Sequence, residues 1–232
     1  MKKMVVIITI LLIIFIGMII YKNEAINIQN NISVQEIEKI ETYITKIYMW
    51  KEVTNEALPC FDNINNADEL WLWEVVKKNL EDYELTYEQI TEKAKELFGN
   101  NFSKEFPKEG TKYLNYDEQT NKYYATGLGL DQEEDMFLLN KIEKINDTYE
   151  VEIIEYLEDY SNEMQDIDEF QESSNYDIII KNLKNEEIQK INISEEQKAK
   201  EIVKNNIDKF TKKKVILQIE NEKLYVKSVV KI

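Results

Sequence analysis

The chain has 232 residues, 43% hydrophobic and 11% aromatic, with 29 Lys, 45 Asp and Glu, no His and a formal net charge of −16. That apolar content suffices for a core and excludes a disordered composition. Without Arg or His there is no bidentate fork for phosphate or carboxylate, and no side chain that titrates near neutrality unperturbed. The acidic balance excludes nucleic-acid binding by neutralisation of the phosphate backbone. Richness in Lys, Asn, Ile, Tyr and Glu without Arg is the bias of an AT-rich bacterial genome.

Residues 4–21, MVVIITILLIIFIGMIIY, carry no charge, and their only polar groups are Thr9 and Tyr21. At helical rise the run spans roughly 27 Å, close to the thickness of a hydrocarbon core. Inside lipid every backbone polar group needs an internal partner, so a transmembrane helix is expected. Lys2 and Lys3 precede it; Lys22 follows, and then Glu24 and a strongly acidic chain. The charge is +3 over residues 1–22 and −19 over residues 23–232. Positive charge stays cytoplasmic, so residues 1–3 are expected inside and the bulk of the chain outside. A cleaved signal peptide would have a shorter apolar region and a small-residue site; Asn23-Glu24-Ala25 is a poor one. No cysteine follows the run closely, as a lipoprotein signal would need, and no Glu lies within it, as a pilin-like helix would need.

Residues 22–32 read as a juxtamembrane connector and residues 33–232 as an extracytoplasmic α+β domain. Its helical part is expected over 33–106 and its sheet-rich part over 107–232. Ser33-Val34-Gln35-Glu36 is a capping box, with Ile32 and Ile37 at the staple positions. Ile37, Ile40, Ile44 and Ile47 follow at helical spacing, which predicts a helix over 34–52. Asn66-Ala67-Asp68-Glu69 reads as a second box, before Leu72, Val75, Val76 and Leu80. Thr86-Tyr87-Glu88-Gln89 is a third, with Ile90, Ala94, Leu97 and Phe98 inward and Gly99 as the stop.

Strands are expected over 122–130, 136–145, 149–157 and 176–183, the middle two forming a hairpin around Asn146-Asp147. Tyr149, Val151 and Ile153 alternate, and then Ile154 and Tyr156 take the other phase, the mark of a bulge. Ser194-Glu195-Glu196-Gln197 reads as the start of a last helix, and 215–219 with 224–230 as a closing hairpin around Asn221-Glu222. Helices followed by strands indicate an α+β fold, with a helical layer on a mainly antiparallel curved sheet. Cystatin-like and NTF2-like cone folds are built that way, an analogy of architecture carried by no motif.

No motif marks catalytic, cofactor-binding or metal-ligating residues. Between Ile145 and Ile180 stand 12 acids and no Lys, and residues 131–135 hold four more. Clustered oxygens can hold Ca²⁺, but the spacing of a Ca²⁺ loop is absent; the stretch over 158–175 reads as a solvated loop. Residues 198–231 hold ten Lys and four acids. They can attract an anionic wall polymer or another acidic protein, or balance the chain's own acids, and the last reading needs no unseen partner. Trp50, Trp71 and Trp73, with Tyr43, Tyr48, Tyr83 and Tyr87, share the helical period and read as core rather than as a sugar platform. Cys60, between Leu58-Pro59 and Phe61, reads as a buried small hydrophobe. Asn31, Asn101, Asn146 and Asn192 begin N-x-[ST] sequons, which matter only in a glycosylating host.

The expectation is a single-pass membrane protein with a non-catalytic extracytoplasmic domain that binds or assembles at the cell envelope. Its partners are then the membrane and an envelope protein or wall component, with no cofactor and no nucleic acid. A ligand- or glycan-binding cone domain is the alternative, followed by an envelope hydrolase that uses paired Asp and Glu.

Overall fold

The computed structural model describes residues 27–28, 32–126, 133–160 and 177–232. The expected anchor, residues 4–21, lies outside the described residues. Among those described, no helix is long and apolar enough to cross a membrane.

The fold is α+β, with antiparallel sheets and a few helices. Strands β1 (Asn27–Ile28), β6 (Glu133–Ile145), β7 (Thr148–Asp159), β10 (Thr211–Glu220) and β11 (Lys223–Lys231) lie side by side in that order. Only β1 runs parallel to its neighbour, with Asn27 opposite Lys141. The hairpin of β6 and β7 is the spine. Its turn is the expected Asn146-Asp147, with Asn146 at φ 53°, a conformation that Asn tolerates best after Gly. β7 pairs with β10 as far as Glu155 opposite Thr211. Beyond that, β8 (Asp177–Lys181) takes over the same edge, with Leu157 opposite Lys181, and β9 (Glu187–Asn192) pairs with β8.

The phase change along β7 is not a bulge in that strand. The irregularity falls in β6, between Leu139 and Lys141, where Asn140 is the extra residue. On β7, Tyr149, Val151 and Ile153 enter a large core on one face, while Ile154 and Tyr156 enter a smaller core on the other. Both phases are apolar because both faces are covered.

The large core is closed by helices α1 (Val34–Ile47), α3 (Glu69–Lys78) and α4 (Tyr87–Phe98). Ser33 and Glu36 form the expected reciprocal cap, as do Thr86 and Gln89. Ile37, Ile40, Ile44 and Ile47 are all buried. Gly99 stops α4 at φ 88°, and a Cβ there would meet the Tyr225 ring at 3.1 Å. The cap of α3 is Asp68, which accepts from Trp71 N at 2.8 Å, and not Asn66, which closes a 3-10 turn over Ile64–Asn66. The first helix stops at Ile47 rather than 52. Tyr48 and Trp50 adopt extended backbone, and the short helix α2 (Lys51–Thr54) follows.

The smaller core packs β8, β9 and helix α5 (Ala199–Asn205) against the opposite face of the spine. The last helix was expected from Ser194. Instead Asn192 accepts from Ser194 N, and a 3-10 turn over Ile193–Lys198 precedes α5. A second, four-stranded sheet joins β2 (Glu84–Leu85), β5 (Lys122–Ala125), β4 (Leu114–Asp117) and β3 (Gly110–Thr111). It draws strands from both sides of the expected boundary at 106–107. Of the strand expected over 122–130, residues 127–130 lie outside the described residues. The closing hairpin turns at Asn221-Glu222 as expected, with both residues at positive φ.

Two expectations about burial are corrected. Cys60 is exposed: the chain is extended there because Phe61 bridges to Val229, so the buried Phe61 turns its neighbour outward. The acidic stretch was expected to be solvated from residue 158. Glu158 and Asp159 are instead buried strand residues, covered on both faces; residues 161–176 lie outside the described residues.

Candidate functional site

The candidate site forms where α1 ends against the spine. Four successive carbonyls of that helix end would otherwise lack partners. Lys78 Nζ donates to Thr45 O at 3.1 Å and to Tyr48 O at 2.7 Å. Asn79 Nδ2 donates to Lys46 O at 2.9 Å, and Trp71 Nε1 to Ile47 O at 3.1 Å. With its carbonyls satisfied by α3, the chain leaves the helix and runs extended through Tyr48, Met49 and Trp50. Burial holds Lys78 below the ordinary lysine range.

In this short run Tyr48 and Met49 are both buried, whereas Trp50, next to α2, is half exposed. Tyr48 reaches the spine, where its hydroxyl lies 3.1 Å from Met136 O and 3.4 Å from Glu155 Oε1, and its ring packs 5.0 Å from that of Phe137. Burial first, then the nearby Glu155 and Asp135 charges, drives its phenol well above the usual tyrosine range. Behind it, Glu155 and Lys213 form an ion pair at 3.0 Å, both side chains almost wholly out of water. Lys213 Nζ also donates to Leu58 O at 2.5 Å and stands 3.3 Å from the exposed Glu56 carboxylate. Burial pushes Glu155 up, and the Lys213 ammonium opposes the shift. Asp135 Oδ2 accepts from Lys51 N at 2.7 Å. It thereby caps α2 from outside, since the N-cap residue Trp50 supplies no side-chain cap.

These groups bound a cleft of about 230 Å³. Trp50 forms its outer lip; Tyr48, Met136 and Phe137 line it, and Glu41, Asp135, Lys78 and Lys200 stand around it. Trp50 is 50% exposed, whereas Trp71 and Trp73 are fully buried. An indole face beside two carboxylates and two ammoniums suits a ligand with one apolar face and a hydroxylated or amide-rich edge. The two buried acids nearest the cleft already have structural partners: Asp135 holds α2, and Glu155 holds Lys213.

Most aromatics expected in the core are there, including Tyr43 and Tyr48; Trp50 and Tyr83 are exposed. The balance expected between the C-terminal lysines and the acidic stretch is met at Lys213–Glu155 and at Lys214–Glu150, 2.7 Å apart. Lys181 pairs with Asp159, and Lys190 with Asp177 at 2.8 Å. Among the described residues no group of three potential metal ligands converges. Of the sequons, Asn101 and Asn146 are exposed, Asn192 caps a turn, and Asn31 lies outside the described residues.

Sequence reasoning missed the buried pair, although a signal was present. Lys213 is in phase with Val215 and Leu217, and Glu155 with Val151 and Ile153; all four apolar residues face the large core. A charge in phase with an inward face on each of two adjacent strands marks a candidate buried pair. Nothing comparable singled out Trp50, whose exposure depends on where α1 stops. The chain matches no protein-family model, no curated protein and no solved structure.

Proposed function

We propose that this protein is a membrane-anchored extracytoplasmic binding module of the cell envelope, and that its contact site is the cleft beside Trp50. The anchor is residues 4–21, with the N-terminus cytoplasmic. The observation that carries the reading is the exposed Trp50 at the lip of a cleft floored by the buried, hydrogen-bonded Tyr48 and Asp135. A solvent-facing indole on a rigid rim gives contact area at small entropic cost. The ligand class favoured is a wall glycan, because a sugar ring offers an apolar face to the indole and hydroxyls to Glu41 and Lys200 at the rim.

The reading is non-catalytic. It draws support from Asp135 and Glu155, whose carboxylates are committed to α2 and to Lys213, and from the absence of any His base in the chain. An internal ligand cavity of the cone-fold kind has less support. The sheet face that would line it is filled by Ile40, Ile44, Trp71, Leu72 and Val75 from the helices.

The test is co-sedimentation of the full-length protein, in neutral detergent, with insoluble wall material. Trp50→Ala is compared with wild type. Since Trp50 is outside the core, the substitution should leave stability within about 0.5 kcal/mol. Saturable binding lost in the variant supports the reading; equal binding by both, or none by either, overturns it.

A further inference from the structure

A second concave surface carries the opposite charge to the protein as a whole. It lies between α1, α4 and the start of β11, encloses about 300 Å³, and is lined by Lys39, Lys46 and Lys223 with Glu96. Its floor is rigid. Tyr43 donates its hydroxyl to Leu97 O at 2.8 Å and accepts from Val226 N at 2.8 Å, so one buried side chain ties α1, α4 and β11 together.

Lys39 and Lys46 are seven residues apart on α1, two helical turns, and so share a face. Lys223 approaches from β11. The Lys39 ammonium donates to the Glu222 carbonyl, a neutral acceptor that orients it without cancelling its charge. Among the described residues the one carboxylate that lines the groove, Glu96, is already bonded to Lys93 at 2.7 Å. It is held below the usual carboxylate range first by that bond, with Lys46 and Lys223 adding to it. Lys39, Lys46 and Lys223 are all solvent-exposed. Three lysines therefore line one hollow in a chain of net charge −16.

We infer that this groove is an anion site that takes phosphate groups, held by Lys39, Lys46 and Lys223. Lysine is a compact point charge with three donors, suited to tetrahedral oxyanions that need no planar fork. The site is separate from the Trp50 cleft and stands or falls without it. The phosphate can come from a free polyphosphate, from a phosphodiester-linked polymer or from a lipid headgroup.

The experiment titrates full-length protein in neutral-detergent micelles with inorganic pyrophosphate, with a poly(glycerol phosphate), and with micelles doped with phosphatidylglycerol. Ionic strength is matched throughout. The variant is Lys39→Gln/Lys46→Gln/Lys223→Gln. The control is Lys209→Gln/Lys227→Gln/Lys231→Gln, three exposed lysines elsewhere that change net charge equally. The expected result is saturable binding of at least one phosphate source, weakened by about tenfold or more in the groove variant and unchanged in the control. The arm that binds tightest identifies the source. Equal loss in variant and control, or no saturable binding in any arm, overturns the inference.

Discussion

The Lys213 ammonium lies 3.0 Å from the Glu155 carboxylate, and both are shut away from water between the helical layer and the spine of the sheet. Removing one partner strands the other. Lys213→Met should destabilise the fold by about 3–5 kcal/mol, whereas Lys213→Met with Glu155→Met should cost far less than the sum of the two single changes. Chemical denaturation of the four proteins of this cycle measures both.

The acid limb of stability should be set partly at Glu36. Its carboxylate accepts from Lys144 at 2.7 Å, Tyr149 at 2.5 Å and Ser33 N at 2.9 Å, which ties the start of α1 to the spine hairpin. The Lys144 bond foremost, then Tyr149 and Ser33, lower its pKa to about 2. A folded pKa below the unfolded value means stability that is fully present above the unfolded pKa, about 4.3, and lost as pH falls toward 2. Glu36→Gln should lower stability at neutral pH and flatten its decline over that window, as denaturation midpoints across pH will show.

Glu158 has the opposite sign. It is 3% exposed, its nearest donor is Tyr160 OH at 2.6 Å, and no lysine among the described residues pairs with it. Burial raises its pKa, so its protonated form favours the folded state and stability falls as pH rises from its unfolded pKa through the raised one. Glu158→Gln, which keeps an acceptor for Tyr160 and removes the charge, should match or exceed wild-type stability at neutral pH. It should also remove that part of the pH dependence.

Cys60 is exposed, so a thiol reagent should modify the native protein at the rate seen in denaturant. Protection of the thiol in native buffer would contradict this placement.

Local chemistry made much of this fold legible. The Ser33 and Thr86 boxes, the stop at Gly99 and the turns at Asn146-Asp147 and Asn221-Glu222 each depend on a few adjacent residues, and each was readable in order. What was not legible depended on distant contacts. Strand β9 escaped notice because, of its residues, only Ile191 is buried in the small core, leaving no alternation to read. β1 is two residues long, and its partners Lys141 and Ile142 are more than 100 positions away. The end of α1 is set by Lys78, Asn79 and Trp71 from another helix. Without that end, Trp50 continues the helical period and looks like core. The site was hidden for that reason, and Lys213 because three consecutive lysines look like surface.

The most direct test of the account places a fluorine probe on the indoles. Full-length protein carrying 5-fluorotryptophan should show resonances from Trp50, Trp71 and Trp73, with Trp50 assigned by its loss in Trp50→Phe. Soluble wall-glycan fragments should shift the Trp50 resonance, saturably, and leave the two buried indoles in place. A Trp50 resonance that stays still while glycan reaches millimolar concentration, or a shift shared equally by Trp71 and Trp73, would contradict the assignment of the cleft as the contact site.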